Sequence, residues 1–275
     1  MSDYWIAFVA GIVEGLTEFL PVSSTAHIVI TNKLLGVDLK SPFWKMFTVV
    51  IQLGAILAVL VYFRRRLADF IRSFLHEKSN ARWRHPLALV LLSFVVTAIP
   101  CFLMDKFIAD RLESPTSIAW ALILGGIAMV AIDRSYSQRA TTERMEDMSL
   151  KQAIAIGTAQ ILAATFPGTS RSMATIAGGQ VMGLSRPAAL EFSFFLSIPV
   201  MFSAAGFKLL QFIAKEPVHI DSNQWITLGI GFATSFFVAW GVIAWFMQWV
   251  KSHGFLPFAI YRVAAGIGVL IWLTQ

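Results

Sequence analysis

Six stretches of this chain run for 17 to 29 residues with no charged side chain or with a single cation. A helix needs about 20 largely apolar residues to cross a hydrocarbon core of about 30 Å. Charged residues make up only 14% of the chain, whereas a soluble domain carries about 25% because its surface must be wetted. The sequence therefore predicts an all-α integral membrane protein with six transmembrane helices, at residues 47–63, 86–104, 114–132, 192–214, 222–250 and 254–275.

Two further apolar stretches, residues 4–35 and 152–184, are interrupted by polar residues. Each contains a proline followed by small hydroxyl residues, PVSST at 21–25 and PGTSRS at 167–172. Proline removes a main-chain donor and interrupts a helix, and the polar groups exposed there cannot face lipid. Each stretch is therefore predicted to form a re-entrant helical hairpin, in which two helices joined by a polar bend enter and leave the membrane on one side.

The two predicted hairpins are related by an internal repeat. Aligning Pro21 with Pro167, an offset of 146 residues, sets VSST beside GTSR and pairs the apolar runs that follow. Weak similarity at a fixed long offset indicates a two-fold repeat of the kind found around broken helices, although a chance match is the alternative. Each half then has three spans, an odd number, so the second half is inverted. We predict a single membrane domain with repeat halves at about 1–132 and 150–275.

The basic residues are distributed unevenly among the predicted loops. Segments 64–86 and 133–151, together with Lys251, hold twelve cations, whereas the loops 105–113 and 215–221 hold three. Lys and Arg are enriched in cytoplasmic loops, so the basic loops are predicted to be cytoplasmic and both termini to lie on the opposite side. The net charge of +6 is therefore an orientation signal, and no nucleic-acid partner is expected because no nucleic-acid-binding motif is present.

Ionisable side chains inside membrane segments are expensive to bury, so each is a candidate functional group. The first hairpin contains Glu14, Glu18 and His27, and the second contains Arg171. A four-residue spacing puts both carboxylates on one face of a helix, where they bind a cation or face Arg171, unless they lie at the water interface. Glu14 and Glu18 are the candidate metal ligands for Mg²⁺ or Ca²⁺, which prefer oxygen, and no organic cofactor is expected.

Small hydroxyl residues surround both bends. Hydroxyl groups and free main-chain N–H groups at a helix start bind anions, and glycine lets the main chain approach a ligand closely. Arg171 adds a five-donor fork that suits phosphate oxygens. The candidate substrate-binding residues that share these features are Ser23, Thr25, Gly168, Thr169, Ser170 and Ser172.

Carboxylates, a histidine, hydroxyls and an arginine in a membrane suit phosphoryl transfer on a lipid. Arg171 would stabilise the charge that spreads over the phosphate oxygens in the transition state. His27 is a candidate to protonate the leaving group or to attack phosphorus itself, and Ser24 is the rival nucleophile. The residues alone do not choose between Ser24, His27 and water.

The segments EGLTEFLPVSSTAH (14–27) and PGTSRS (167–172) resemble the two motif regions of the undecaprenyl-diphosphate phosphatases of the bacitracin-resistance family. The resemblance extends over essentially the whole chain, including VVIQLGAILAV (49–59), SRPAALEFSFFLSIP (185–199) and LPFAIYR (256–262). It implies two re-entrant hairpins, six spanning helices and an inverted repeat in a bacterial plasma membrane. It also implies hydrolysis of undecaprenyl diphosphate to undecaprenyl phosphate and inorganic phosphate, which recycles the carrier lipid for cell-wall synthesis.

The resemblance assigns catalytic roles to residues that match the motifs, and it suggests an active site that opens to the outer side. The chain departs from the family pattern at Ala26 and Met173, where glycine is usual, and Met173 puts bulk beside the phosphate loop. A homodimer is left open. The catalytic residues implied by the motifs are Glu14, Glu18, Ser24, His27 and Arg171.

Two other functions compete with this interpretation. Inverted repeats with broken helices are also the architecture of secondary transporters, so a flippase for undecaprenyl phosphate is the alternative. Acid-phosphatase-like membrane lipid phosphatases use a histidine in a different motif, and no histidine follows Arg171 before His219. The concentration of acid, base, hydroxyl and guanidinium groups favours an enzyme.

Overall fold

A computed structural model describes residues 2–38, 41–77, 82–109, 114–215 and 220–274. Within these ranges the chain forms α-helices joined by short turns, with one isolated bridge between Thr142 and Leu184 and no β-strand. The helices are α1 Asp3–Thr17, α2 Ser24–Leu34, α3 Pro42–Tyr62, α4 Arg64–His76, α5 Pro86–Ala109, α6 Pro115–Tyr136, α7 Leu150–Thr165, α8 Arg171–Val181, α9 Arg186–Lys215, α10 Ser222–Ser252 and α11 Leu256–Leu273.

Six helices are long and apolar enough to cross a membrane, which confirms the predicted number of spans among the described residues. They are α3, α5, α6, α9, α10 and α11. Two of them begin earlier than the uncharged windows indicated. Helix α3 starts with Pro42, because the fixed φ of proline suits a first helical position, and includes Lys45. Helix α9 includes Arg186 and Glu191, whose charges are neutralised by ion pairs with Asp133 and Arg66.

The segment after α3 was predicted only as a basic loop, but residues Arg64–His76 form the amphipathic helix α4. Its buried side chain is Phe70, whose ring lies 5.4 Å from the ring of Phe195 and 6.0 Å from that of His85. The side chain of Leu75 is exposed. A strongly basic helix with one apolar face is typical of a segment that lies at a membrane surface.

The described chain divides into two compact units. The first contains α1, α2, α3, the part of α9 from Ser197 and the part of α10 up to Trp245. Here α1 packs closely on α10: a β-carbon on Gly11 would lie 2.8 Å from the Gly231 carbonyl oxygen and 2.9 Å from the Thr234 β-carbon. Glycine is therefore required sterically for this helix contact.

The second unit contains Leu20–Ser23, α4 to α8, the beginning of α9, the end of α10 and α11. In this unit α7 packs along α5 and α8, and α6 packs along α11. A β-carbon on Gly157 of α7 would lie 2.6 Å from the Ser93 carbonyl oxygen and 3.1 Å from the Val96 β-carbon. Gly11 and Gly157 are 146 residues apart and each faces a carbonyl oxygen and the β-carbon three residues further on.

An ion-pair cluster in the second unit anchors α4 and the segment that precedes α7. The Arg66 guanidinium lies 2.8 Å from Glu146 and 3.0 Å from Glu191. Burial is the largest single influence on the Glu146 carboxyl and would raise its pKa, but the hydrogen bond and charge of Arg66, a main-chain hydrogen bond and the charge of Arg144 together hold the pKa below its usual range. The cluster therefore favours the ionised carboxylate.

Candidate active site

The first helix pair, α1 and α2, brings Glu18 and Ser24 together. Glu14 lies in α1 with 1% of its surface exposed, and the Glu18 main-chain N–H donates to the Glu14 carbonyl oxygen at 2.9 Å. Glu18 is therefore the residue that ends α1, and its side chain is also buried. The hydroxyl of Ser24, the first residue of α2, donates a hydrogen bond to Glu18 Oε2. A carboxylate that accepts from a hydroxyl is placed to take its proton.

The remaining candidates of the first pair differ in exposure. Ser23 is buried and has a φ of 74°, a left-handed conformation that is uncommon outside glycine. Thr25 is exposed and His27 is half-buried, and both lie in the first turn of α2. The start of α2 thus carries a strained serine, the Ser24 hydroxyl and the His27 imidazole within five residues.

The bend of the second helix pair, α7 and α8, is built around Gly168 and Ser170. Gly168 has a φ of 95°, and a β-carbon there would lie 2.7 Å from the Ile118 carbonyl oxygen. Ser170 has a φ of 73°, and its hydroxyl accepts the N–H of Met173 at 3.3 Å, which caps α8. The Ser170 and Ser172 hydroxyls lie 3.0 Å apart. Thr169, which lies between Gly168 and Ser170, is half-buried.

Arg171 is the first residue of α8 and is half-buried. Its Nη1 lies 3.5 Å from the Ser193 carbonyl oxygen. Thr175, one turn later, is fully buried, and its hydroxyl contacts the Ser193 hydroxyl at 2.7 Å and the Arg171 carbonyl oxygen at 3.0 Å. Thr175 therefore supports the arginine, a role that sequence analysis missed although the four-residue spacing from Arg171 was visible.

The first bend contacts the second helix pair through main-chain atoms. The Ser172 hydroxyl donates to the Leu20 carbonyl oxygen at 2.9 Å. Arg262 Nη1 donates to the Pro21 carbonyl oxygen at 3.1 Å. The residues Leu20–Ser23 are thus held by polar groups of α8 and α11 in the second unit.

In the sequence, Arg262 stands out only as the single cation of the last predicted span, residues 254–275. It is fully buried, and its Nη2 donates to the carbonyl oxygens of Ala121 at 3.0 Å and Gly168 at 3.1 Å. An arginine inside a predicted span is itself a signal of function, because burying the charge is costly.

The two departures from the family pattern are accommodated differently. Ala26 is completely buried in α2. The Met173 side chain extends toward α6, where its Cε would lie 3.0 Å from a β-carbon on Gly125. Because Gly125 has no side chain, α6 leaves room for the bulk of Met173 at this position.

Comparison with known proteins gives full-length similarity. A sequence profile described as "Bacitracin resistance protein BacA" matches residues 7–268. An undecaprenyl-diphosphatase of Koribacter versatilis is 51% identical over 285 residues, covering all of both chains. Undecaprenyl-diphosphatases of Novosphingobium aromaticivorans, 44% identical over all of both chains, and Enterococcus faecalis, 41% identical over 95% of this chain and 94% of its own, are also similar. The chain therefore belongs to the BacA bacitracin-resistance family.

Proposed function

We propose that this membrane protein is an undecaprenyl-diphosphatase that releases inorganic phosphate and undecaprenyl phosphate. Its family and its full-length relatives of that name support the activity. The structural observation that carries the proposal is the hydrogen bond from the Ser24 hydroxyl to Glu18, since it pairs a nucleophile with a base. The transport alternative is not favoured, because the relatives matched over the whole chain are named as phosphatases.

The proposed first step is attack by Ser24 on the terminal phosphorus. Glu18 takes the hydroxyl proton as the Oγ–P bond forms, and the bond from phosphorus to the bridging oxygen breaks. The electron pair leaves on undecaprenyl phosphate, and His27 in its protonated form supplies a proton to that oxygen. Arg171 stabilises the charge on the transferring phosphoryl oxygens.

The proposed second step hydrolyses the phosphoserine. Water attacks phosphorus, neutral His27 takes a proton from the water, and Glu18 returns its proton to Ser24 as the Oγ–P bond breaks. Inorganic phosphate leaves and both side chains regain their starting protonation states. The diphosphate oxygens are bound by groups of the two bends and of the helix starts that follow them, namely Ser23, Thr25, Gly168, Thr169, Ser170 and Ser172.

Glu14 and Glu18 would supply two carboxylate ligands to a divalent cation. Among the described residues no group of three or more His, Cys, Asp and Glu side chains is arranged to hold a metal. Mg²⁺ is nevertheless often bound by one or two carboxylates together with substrate phosphates and water. Glu14 and Glu18 would be the protein ligands, and the ion would neutralise phosphate charge when bound.

We extend the proposal to the topology. The two helix pairs are re-entrant hairpins of an inverted repeat, in a bacterial plasma membrane with both termini and the active site on the outer side. Helices of 15 and 11 residues, α1 and α2, support this because they are about 22 Å and 16 Å long, too short to span. The matched environments of Gly11 and Gly157 support the repeat.

Phosphate release from purified protein in lipid nanodiscs tests the function. With undecaprenyl diphosphate we expect one phosphate and one undecaprenyl phosphate per substrate, measured with Mg²⁺, with Ca²⁺ and with chelator. No release in any of these conditions rejects the activity. Reactions with ³²P-labelled substrate that are stopped with detergent at neutral pH, where both phosphoserine and phosphohistidine survive, test the nucleophile: phosphoserine at Ser24 supports the step and phosphohistidine at His27 contradicts it.

A further inference from the structure

Arg262 joins three separate segments through main-chain oxygens. Its Nη1 donates to Pro21 in the first bend at 3.1 Å, and its Nη2 donates to Gly168 in the second bend at 3.1 Å and to Ala121 of α6 at 3.0 Å. Each terminal nitrogen therefore holds a different bend. The side chain is fully buried in α11, so these contacts are made away from water.

The burial of this charge requires an explanation. In the described part of the chain Arg262 forms no ion pair with a carboxylate, and its Nε has no hydrogen-bond partner. A buried guanidinium is costly unless its donors are satisfied. Three carbonyl oxygens meet part of that cost, and a purely structural span would avoid the cost with an apolar side chain.

We infer that Arg262 is a positioning residue for the phosphatase reaction, because it fixes the main chain of both bends at once. The inference rests on the proposed function. Two of the three carbonyl oxygens that Arg262 holds, those of Pro21 and Gly168, belong to residues two positions before the left-handed serines. These serines, Ser23 and Ser170, directly precede Ser24 and Arg171. Displacement of either bend moves a reacting or phosphate-binding side chain.

Only arginine fits this role. Its two terminal nitrogens are held in one plane and point to separate acceptors, whereas the single ammonium of lysine cannot occupy both positions. Gly125 leaves the space for this fork, since a β-carbon there would lie 2.2 Å from Arg262 Nη2 and 3.1 Å from its Cζ. The position of the guanidinium can therefore be disturbed by a substitution at Arg262 itself or by a side chain added at Gly125.

The test uses R262K, which keeps the charge, and G125A, which keeps the arginine. A misplacement of about 1 Å costs about 100-fold in rate, so we expect kcat of R262K to fall by about that factor, with KM within about threefold of wild type. G125A displaces Nη2 and should lower kcat by a smaller factor. The matched control is G268A, also in α11, where a β-carbon meets nothing within 4 Å.

Hydrogen–deuterium exchange of the full-length protein in nanodiscs supplies a readout independent of activity. R262K should increase exchange in peptides covering residues 18–24 and 166–172, and G125A should increase it chiefly in 166–172. Other peptides should exchange as in wild type, which a general loss of stability would not produce. Unchanged kcat and unchanged exchange in folded R262K or G125A overturn the inference. A wild-type protein without phosphatase activity rejects the proposed function, whereas the exchange experiment still tests the contacts of Arg262.

Discussion

The first and second helix pairs share a backbone design but carry different chemistry. Each ends its bend with a serine at a φ near 73°, Ser23 or Ser170, and continues into an 11-residue helix. The first residue of that helix is Ser24 in one pair and Arg171 in the other. The same local fold thus presents the proposed nucleophile in the first pair and, in the second, the cation that we propose binds phosphate.

The interior helices differ in a parallel way. Glu14 in α1 and Gln160 in α7 are 146 residues apart, and both are almost fully buried. Gln160 Nε2 donates to the Thr97 hydroxyl at 3.1 Å, a neutral contact between α7 and α5. A carboxylate at one position and its uncharged amide at the other fit the proposal that acid–base and cation chemistry belong to the first pair.

The largest effect is expected from R171A, which removes the cation of the second pair. Loss of charge stabilisation in a phosphoryl transfer costs about 10³-fold or more in kcat. Phosphate release from undecaprenyl diphosphate measures it. K151A, which removes an exposed cation of α7, is the matched control and should leave kcat unchanged. A rate for R171A close to that of K151A would show that the second pair does not bind the phosphate.

The second largest effect is expected from E14Q, which replaces the carboxylate of the first pair with the amide that the second pair carries at Gln160. We expect turnover to fall by about 100-fold, the usual contribution of a group that acts in acid–base or charge stabilisation. Q160M should keep turnover within about threefold, while it lowers stability by about 1 kcal/mol through the lost contact with Thr97. Equal losses of turnover in E14Q and Q160M would contradict the division of roles.

A smaller effect on stability is expected at the bends. S170A loses the cap of α8 and keeps a side chain at positive φ, whereas S170G loses the cap and relieves the strain. S170G should therefore unfold at a higher temperature than S170A, by the equivalent of about 1 kcal/mol. Thermal unfolding in detergent measures the difference. The reverse order would show that the left-handed serine carries no strain.

The smallest expected effect is on stability, at the contacts that hold the first helix of each pair near its N-terminal end. Tyr4 in α1 makes a neutral hydrogen bond to Asn223, whereas the segment before α7 depends on the Arg66–Glu146 ion pair. Because the folded pKa of Glu146 is lowered, its stabilisation is complete above the unfolded pKa and is lost as pH falls through the folded value. E146Q should lower stability at pH 7 by about 0.5 kcal/mol, since the pair is partly exposed.

The pH dependence of this difference in unfolding temperature is the check. The gap between wild type and E146Q should close as the pH is lowered from 7 to the acidic range below the usual glutamate pKa. Y4F serves as the comparison, because its lost hydrogen bond involves no group that titrates in that range. A gap for E146Q that is constant with pH would contradict the lowered pKa.

The membrane spans were predictable because lipid excludes charged side chains. The start of α9 and the whole of α4 were not, because their charged residues indicated loops. Arg186 and Glu191 interrupted the uncharged window of α9, yet each is neutralised by a partner that only the folded chain provides. Helix α4 was missed although Phe70, Ile71 and Phe74 recur at helical spacing, because its many arginines were interpreted as loop charge.

The site was predictable where chemistry is local in sequence. Ser24 and Glu18 are six residues apart, and motif spacing indicated both. Thr175 acts through Ser193 on another helix, and Arg262 acts on carbonyl oxygens at Pro21 and Gly168. Such partners are distant in sequence, and a main-chain acceptor leaves no mark on the residue type. Sequence patterns therefore point to candidate reacting groups more readily than to the groups that hold them in place.

The contacts of Arg262 have a consequence for genetics. An ion pair that loses one member can be restored by a complementary exchange at the other, but a carbonyl oxygen is the same in every residue. No side-chain substitution at Pro21 or Ala121 can therefore supply a new partner to a mutant residue 262. A suppressor of R262K would have to alter the path of a bend, so intragenic revertants should be rare and should map to the bends themselves.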